Sequence, residues 1–279
     1  MRKPLTGRLR GKVVLITGGA QGIGGCLARQ LIDHGCRVAI LDHDITTAQH
    51  LAGELGSAAA FDADVTSAES MRTACAAAAD HFGGVDVVVA NAGIAGPGAT
   101  IEAVDPAEWR RVIDVNVVGV FHTMAAALPY VRRRRGYIMA VASLGAVVPG
   151  PTVSGYMASK AAVESLVRSL RVELAGTGVK AGTAYFGLID TGLAASMMAD
   201  SGLGVVMAKM PAAVGKPIPV ERAATAIAAA ISRRGRRAYA PGWVSLALDL
   251  RVPFAVVGDR LLALSPAVRR VVRDAEVLS

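Results

Sequence analysis

Seven short apolar runs recur along the chain, at about 13–17, 37–41, 58–62, 86–90, 137–142, 179–185 and 237–240. Runs of this length bounded by glycine and polar residues read as buried strands. Longer stretches between them carry apolar residues three and four apart, as at Cys26, Leu27, Leu31 and Ile32, the period of a helix packing one face. Strand and helix alternate throughout. This order predicts an α/β fold, a doubly wound parallel sheet of about seven strands with helices on both faces. The 279 residues fit one large domain, expected over 1–242 with a substrate lid at about 188–216. A C-terminal extension over 243–279 would pack on that domain or at an interface.

The first run breaks into glycines, Val13-Val14-Leu15-Ile16-Thr17-Gly18-Gly19-Ala20-Gln21-Gly22-Ile23-Gly24, and a helical pattern follows at once. Strand, glycine turn and helix start make a phosphate cradle, because glycine lets the backbone approach a pyrophosphate and the helix N-terminus offers free N–H groups. The second run ends in Asp42, 18 residues beyond Gly24, where a dinucleotide fold keeps the carboxylate for the ribose diol. Such a carboxylate repels a 2′-phosphate, so NAD is expected over NADP. Asp44 is a second diol candidate, or else the cap of a helix from about Ile45.

Tyr156 and Lys160 stand four apart, on one face of a helix, with Ser143 upstream. A phenol titrates near about 10, and an ammonium one turn away would favour its anion and bring it toward neutral pH as a proton shuttle. In this order and spacing the motifs resemble the short-chain dehydrogenase/reductase family, with the match running from about Gly11 to Pro241. Thr17 to Gly24 fits the family's TGxxxGxG cofactor motif, Asn91-Ala92-Gly93 its NAG segment and Asp64-Val65 its adenine-facing pair.

The resemblance implies a Rossmann-type single domain, a nicotinamide cofactor and a catalytic tetrad of Asn116, Ser143, Tyr156 and Lys160. It places Gly18, Gln21, Gly22, Ile23, Gly24, Asp42, Asp64, Val65, Asn91, Ala92, Gly93, Tyr156, Lys160, Gly187, Ile189 and Thr191 at the cofactor. Tyr156 would move the substrate proton, Ser143 hold the substrate oxygen, Lys160 lower the phenol pKa and contact the nicotinamide ribose, and Asn116 order a relay water. Phe186-Gly187 stands where the family has Pro-Gly, which puts the course of the lid in question. The family also implies a homotetramer or homodimer built through the long helices that carry Asn116 and Tyr156. The alternative reading is a non-catalytic dinucleotide sensor or scaffold, because fold alone does not fix function.

Composition trims the remaining classes. The lid carries Met197, Met198, Met207 and Met210 among Leu193, Leu203, Val205 and Val206, which favours a small apolar alcohol or ketone, of lipid, steroid or terpenoid type, over a sugar. Net charge is +8, with arginine clusters at 132–135, 233–237 and 269–270, but aromatics are too sparse for stacking surfaces, so no nucleic acid is expected. Cys26, Cys36 and Cys75 have no metal spacing, and reduced thiols in the cytoplasm are expected, with no metal site. His122 is expected to pack within its helix. No uninterrupted apolar run reaches spanning length. The basic N-terminus precedes a strand rather than a signal segment. The apolar and cationic tail could make weak contact with a membrane surface, or pack over the substrate mouth or a subunit interface.

Overall fold

The computed structural model describes residues 8–277 except Ser201, Phe254, Val256 and Gly258. Arg2, Lys3 and the tail positions Phe254 and Val256 therefore lie outside the described residues. The strands are β1 (Val13–Thr17), β2 (Arg37–Asp42), β3 (Ala58–Asp62), β4 (Val87–Ala90), β5 (Tyr137–Val141), β6 (Lys180–Phe186) and β7 (Arg237–Ala240). They form one parallel sheet in the order β3-β2-β1-β4-β5-β6-β7.

Side-chain alternation explains why these runs are apolar at every position. Val14, Ile16, Val38 and Ile40 feed one core, and Val13, Leu15, Ala39 and Leu41 feed the other. Both faces of a parallel sheet are covered, so neither parity can be polar. Each fully buried Leu, Ile or Val contributes about 1.5–3 kcal/mol.

Helices α1 (Gly22–Asp33) and α2 (Ile45–Leu55) cover the first face. The second is covered by α3 (Ala68–Phe82), by α4 (Pro106–Ile113) running through a π turn, Asp114–Val118, into α5 (Gly119–Arg133), and by α6 (Ser154–Glu173). The span Pro106–Arg133 is long and apolar because it is a core helix, with Val120, Met124, Ala127 and Val131 buried against the sheet. Three short helices, α7 (Gly192–Asp200), α8 (Leu203–Met207) and α9 (Ala212–Gly215), make the lid, and α10 (Val220–Arg233) returns to the first face. A parallel bridge between Ile189 and Ile218 closes the base of the lid.

Strand order reverses at β1 and β4, and that topological switch point opens a crevice at the carboxyl ends of the strands. Every motif singled out above as cofactor-binding follows a strand at this end. The opposite end takes up basic residues. Arg234 there donates to the carbonyls of Arg135, Gly136 and Gly178, each at 2.7 Å, and Arg134 donates to Gly83 O. Arg37 lies over the Phe82 ring, at the start of β2 and away from Asp42.

Beyond β7, α11 (Val244–Asp249) sinks Val244 and Leu248 into the second core. Arg251 then pairs with the buried Glu164 of α6 at 2.7 Å. The last helix, Pro266–Val277, buries Ala267 and Val271, and Val271 packs on Gly202 beside α8. Leu246, Leu250, Val252, Val257, Leu261 and Leu264 remain exposed along the same segment.

Candidate active site

The glycine turn is shaped by close approach. Gly18 and Gly22 have φ of +59° and +53°, the left-handed region that favours glycine. A Cβ on Gly18 would lie 2.8 Å from Ala92 Cα, and one on Gly24 would lie 2.1 Å from Gly18 O. In front of Gly22, by contrast, a Cβ would meet only Thr191 Cγ2 at 3.8 Å. The turn is therefore packed behind and open toward the crevice. Helix α1 starts here without a side-chain cap or an acidic residue in its first turn, which leaves its N–H groups for an anion.

Asn91 braces this turn. Its Nδ2 donates to Thr17 O at 3.1 Å and Gly18 O at 2.9 Å, so the amide grips the loop and does not point its donors at a ligand. Asp42 ends β2, nearly buried, and accepts from Ala20 N at 3.0 Å and Asp44 N at 3.2 Å. Each carboxylate oxygen keeps a lone pair for a further donor. His43 Nδ1 lies 3.2 Å from Asp42 Oδ1, with most of its ring in solvent. Asp44 is the helix cap: it accepts from Thr47 N and Thr47 Oγ1 at 3.0 and 2.6 Å. Asp64 folds onto Thr66 N at 2.8 Å, and Val65 O meets His122 Nδ1 at 3.0 Å. That contact fixes His122 within the fold, as its place on the long helix suggested.

At the other end of the crevice Ser143 follows β5 and Tyr156 projects from the first turn of α6. Gly155 admits this approach, because a Cβ there would stand 3.1 Å from Trp109 Cδ1 on α4. Tyr156 and Ser143 share a hydrogen bond, which favours the phenolate, but burial is the larger effect and raises the phenol above its ordinary value. Lys160 is 4% exposed, and burial pulls its ammonium down to about 8. Its Nζ donates to Val141 O at 3.1 Å and sits 5.4 Å from the Tyr156 ring centroid. The sequence expectation that this ammonium brings the phenol to neutral pH is thus corrected for the protein's own groups. At Tyr156 desolvation outweighs the Ser143 hydrogen bond, and the Lys160 ammonium is engaged by a backbone carbonyl.

The short chain dehydrogenase family pattern matches residues 12–202. The chain belongs to the short-chain dehydrogenase family. Zerumbone synthase from Zingiber zerumbet is 38% identical over 178 residues, covering 62% of this chain and 67% of that one. A 3-alpha-(or 20-beta)-hydroxysteroid dehydrogenase from Mycobacterium tuberculosis is 36% identical over 189 residues, covering 67% and 72%. Among solved structures, a 3-ketoacyl-(acyl-carrier-protein) reductase from Brucella melitensis complexed with NADH superposes with a TM-score of 0.75. It is 30% identical and covers 83% of this chain and 97% of its own. This short-chain dehydrogenase is therefore an oxidoreductase acting on alcohols, with a nicotinamide dinucleotide cofactor.

One cavity of about 1010 Å³ joins both ends of the dehydrogenase's crevice. Gly18, Gln21, Gly22, Ile23, Asp42, Asp64, Val65, Asn91, Ala92 and Gly93 line it toward β1 to β4, and Ser143, Tyr156, Lys160, Gly187, Ile189 and Thr191 toward the lid. Asn116 is apart from that lining. It is fully buried in the π turn, where Oδ1 accepts from Ile94 N at 2.8 Å and Nδ2 donates to Ile94 O at 2.9 Å and Ser159 Oγ at 3.0 Å. Its side chain ties β4's exit to α6 at Ser159, the residue before Lys160, and Gly93 lies between Asn116 and Lys160: a Cβ there would be 3.1 Å from Asn116 Oδ1 and 3.4 Å from Lys160 Nζ.

The lid of the dehydrogenase both packs and lines. Met197 and Leu203 are buried with Ala95 and Val153 in a third cluster around Tyr156, and with Leu193 and Met207 they also face the cavity. Met198 packs in that cluster without reaching the cavity, and Met210 is in neither group. Phe186 is both a core residue and a lining residue of the cavity. Its side chain is buried in the first core, its carbonyl accepts from Ser143 Oγ at 3.4 Å, and Gly187 N donates to Ala240 O at 2.9 Å. Leu144, Val148, Val214 and Trp243 also line the substrate end, and no motif marked them.

Burial of Lys160 has a measurable cost. Below about pH 8 both the folded and unfolded chains hold its proton; between there and its ordinary 10.5 only the unfolded chain does, so stability rises with pH through that window. Replacing Lys160 by Met should narrow the difference. The stability gap between Lys160→Met and wild type is expected to shrink by about 2–3 kcal/mol from about pH 7 to about pH 10, in urea unfolding. A gap independent of pH would show that the ammonium is not desolvated.

Proposed function

We propose that this dehydrogenase interconverts an apolar secondary alcohol and its ketone with NAD as cofactor and Tyr156 as general acid and base. The observation that carries the reading is one cavity with Asp42 at one end and the hydrogen-bonded Ser143–Tyr156 pair at the other, under an apolar lid.

The turn fits a dinucleotide because its glycines leave open backbone before an uncapped helix start, and the cavity is large enough for one. Gly18 to Gly24 would hold the pyrophosphate, Asp42 the adenosine ribose, Lys160 the nicotinamide ribose, and Ile189 and Thr191 the carboxamide side. The nicotinamide ring supplies or accepts the hydride. Every other task falls to side chains. Ser143 holds the substrate oxygen, and Tyr156 gives its proton to that oxygen in reduction or removes it in oxidation. Burial keeps Tyr156 protonated near neutral pH, which suits the reduction step.

Asp42 supports NAD over NADP because an anion with two backbone N–H donors to it is poorly placed to admit a 2′-phosphate. Replacing Asp42 by Ser is expected to weaken NAD use by at least about tenfold in kcat/KM, the scale of a lost charge-assisted hydrogen bond, and to narrow the NAD to NADP ratio. Initial rates of ketone reduction with NADH and with NADPH test it, on cyclohexanone and propanone. Wild-type preference for NADP, or an unchanged ratio in Asp42→Ser, would overturn the assignment.

A further inference from the structure

We infer that Trp243, in the segment after the last strand, is a specificity-determining residue: its indole is a wall of the substrate end and its N–H holds the lid in place. The inference rests on the catalytic reading of the cavity and extends it to a segment beyond the residues that match the family pattern.

The indole touches three parts of the site. Its Nε1 donates to Ala213 O in α9 at 2.8 Å, and Cζ2 lies 3.7 Å from where a Cβ on Gly187 would stand. It also lines the cavity that Ser143 and Tyr156 enter, beside Val214. The ring thus spans from the strand that ends at Phe186 to the last turn of the lid.

Its position is fixed from behind. Val244 and Leu248, one and five residues on, are buried at 0% and 4% exposure in the core beneath α6, and Arg251 pairs with Glu164 of that same helix. The segment presenting the indole is therefore anchored to the helix that carries Tyr156 and Lys160. A second contact acts on the other side of the lid, where Val271 covers Gly202 next to Leu203, itself a cavity residue. The lid is held to the rest of the molecule through the segment after β7 at both places.

Two consequences follow from a flat apolar ring on a fixed anchor. A cyclic apolar substrate gains contact area from the indole that a three-carbon ketone cannot reach, and discrimination of about ten- to a few hundredfold is what such pocket contacts support. Phenylalanine keeps a smaller aromatic ring on the anchor but removes the N–H donor, and so frees α9.

The test uses full-length protein carrying Trp243→Phe or Trp243→Ala, with three readouts: NADH affinity, kcat and KM for cyclohexanone and propanone, and hydrogen exchange of backbone amides over 203–215. Trp243→Ala is expected to raise KM for cyclohexanone at least about tenfold relative to propanone, with NADH affinity held within about twofold. Trp243→Phe should quicken lid exchange about fivefold, the scale of one hydrogen bond, while exchange in β1, β4 and β5 is unchanged. An unaltered KM ratio in Trp243→Ala, or lid exchange unaltered in Trp243→Phe, would overturn the inference. If wild type turns over neither ketone while lid exchange still responds to Trp243, the substrate assignment fails and the wall role falls with it.

Discussion

Tyr156→Phe is expected to lower kcat by about a hundred- to ten thousandfold, the contribution of a positioned general acid or base, while NADH affinity changes by less than about threefold. The substitution removes one oxygen and leaves the ring against Met157 and Met197, so the lid cluster stays packed. Ser143 loses a partner but keeps Gly145 N, which donates to its Oγ at 3.1 Å. Stopped assays with NADH and a ketone, and fluorescence titration with NADH, separate chemistry from binding. Turnover above about a tenth of wild type would remove Tyr156 from the mechanism. Loss of binding and turnover together would point to a collapsed site, and tight NADH binding with no wild-type turnover would favour the sensor reading.

The same phenol sets the pH dependence. Burial raises its pKa, so the acid form persists through neutral pH and ketone reduction should hold its rate there, falling only as pH climbs past the raised value. Alcohol oxidation needs the base form and should rise with pH over the same range. A reduction rate that falls between about pH 6 and about pH 8 would show that the substituents around Tyr156 favour the phenolate after all.

The second large effect is expected from Gly24→Ala. Its Cβ would stand 2.1 Å from Gly18 O, 2.9 Å from Gly19 Cα and 2.8 Å from Asn91 Nδ2. Two of those neighbours are backbone, so the turn must open or α1 must move. Overpacking of this kind costs about 1–3 kcal/mol, and the displaced turn is the one proposed to hold the pyrophosphate. NADH affinity is expected to fall at least about a hundredfold, with Tm lowered by several degrees. Gly53→Ala is the control, since nothing lies within 4 Å of its Cβ and it sits inside α2. Equal effects at both glycines would show that helix start and cradle are not coupled through Gly24.

Much of this site was readable before any coordinates. A parallel sheet buries both faces, so its strands appear as unbroken apolar runs, and the observed strands coincide with the expected ones to within a residue or two. Asp44 was open between two roles in sequence, because a carboxylate two residues past a strand can serve a ribose or cap a helix. Its contacts with Thr47 decide for the cap. Asn91 and Asn116 were legible as motif members, but their spacing gives no hint that the first grips the glycine turn and the second bridges Ile94 and Ser159.

What the sequence by itself determined is the set of strands, the glycine cradle, Asp42 and the order of Ser143, Tyr156 and Lys160, because each depends on neighbours a few residues away or on an unbroken pattern. Only the tertiary structure decided what surrounds Tyr156 and which later segment reaches the cavity. Lys160 donates a hydrogen bond to Val141 O, and Trp243 reaches α9, through contacts 19 and 30 residues apart in the chain. Desolvation and wall contacts depend on everything packed within a few ångströms, and no local spacing encodes that surrounding.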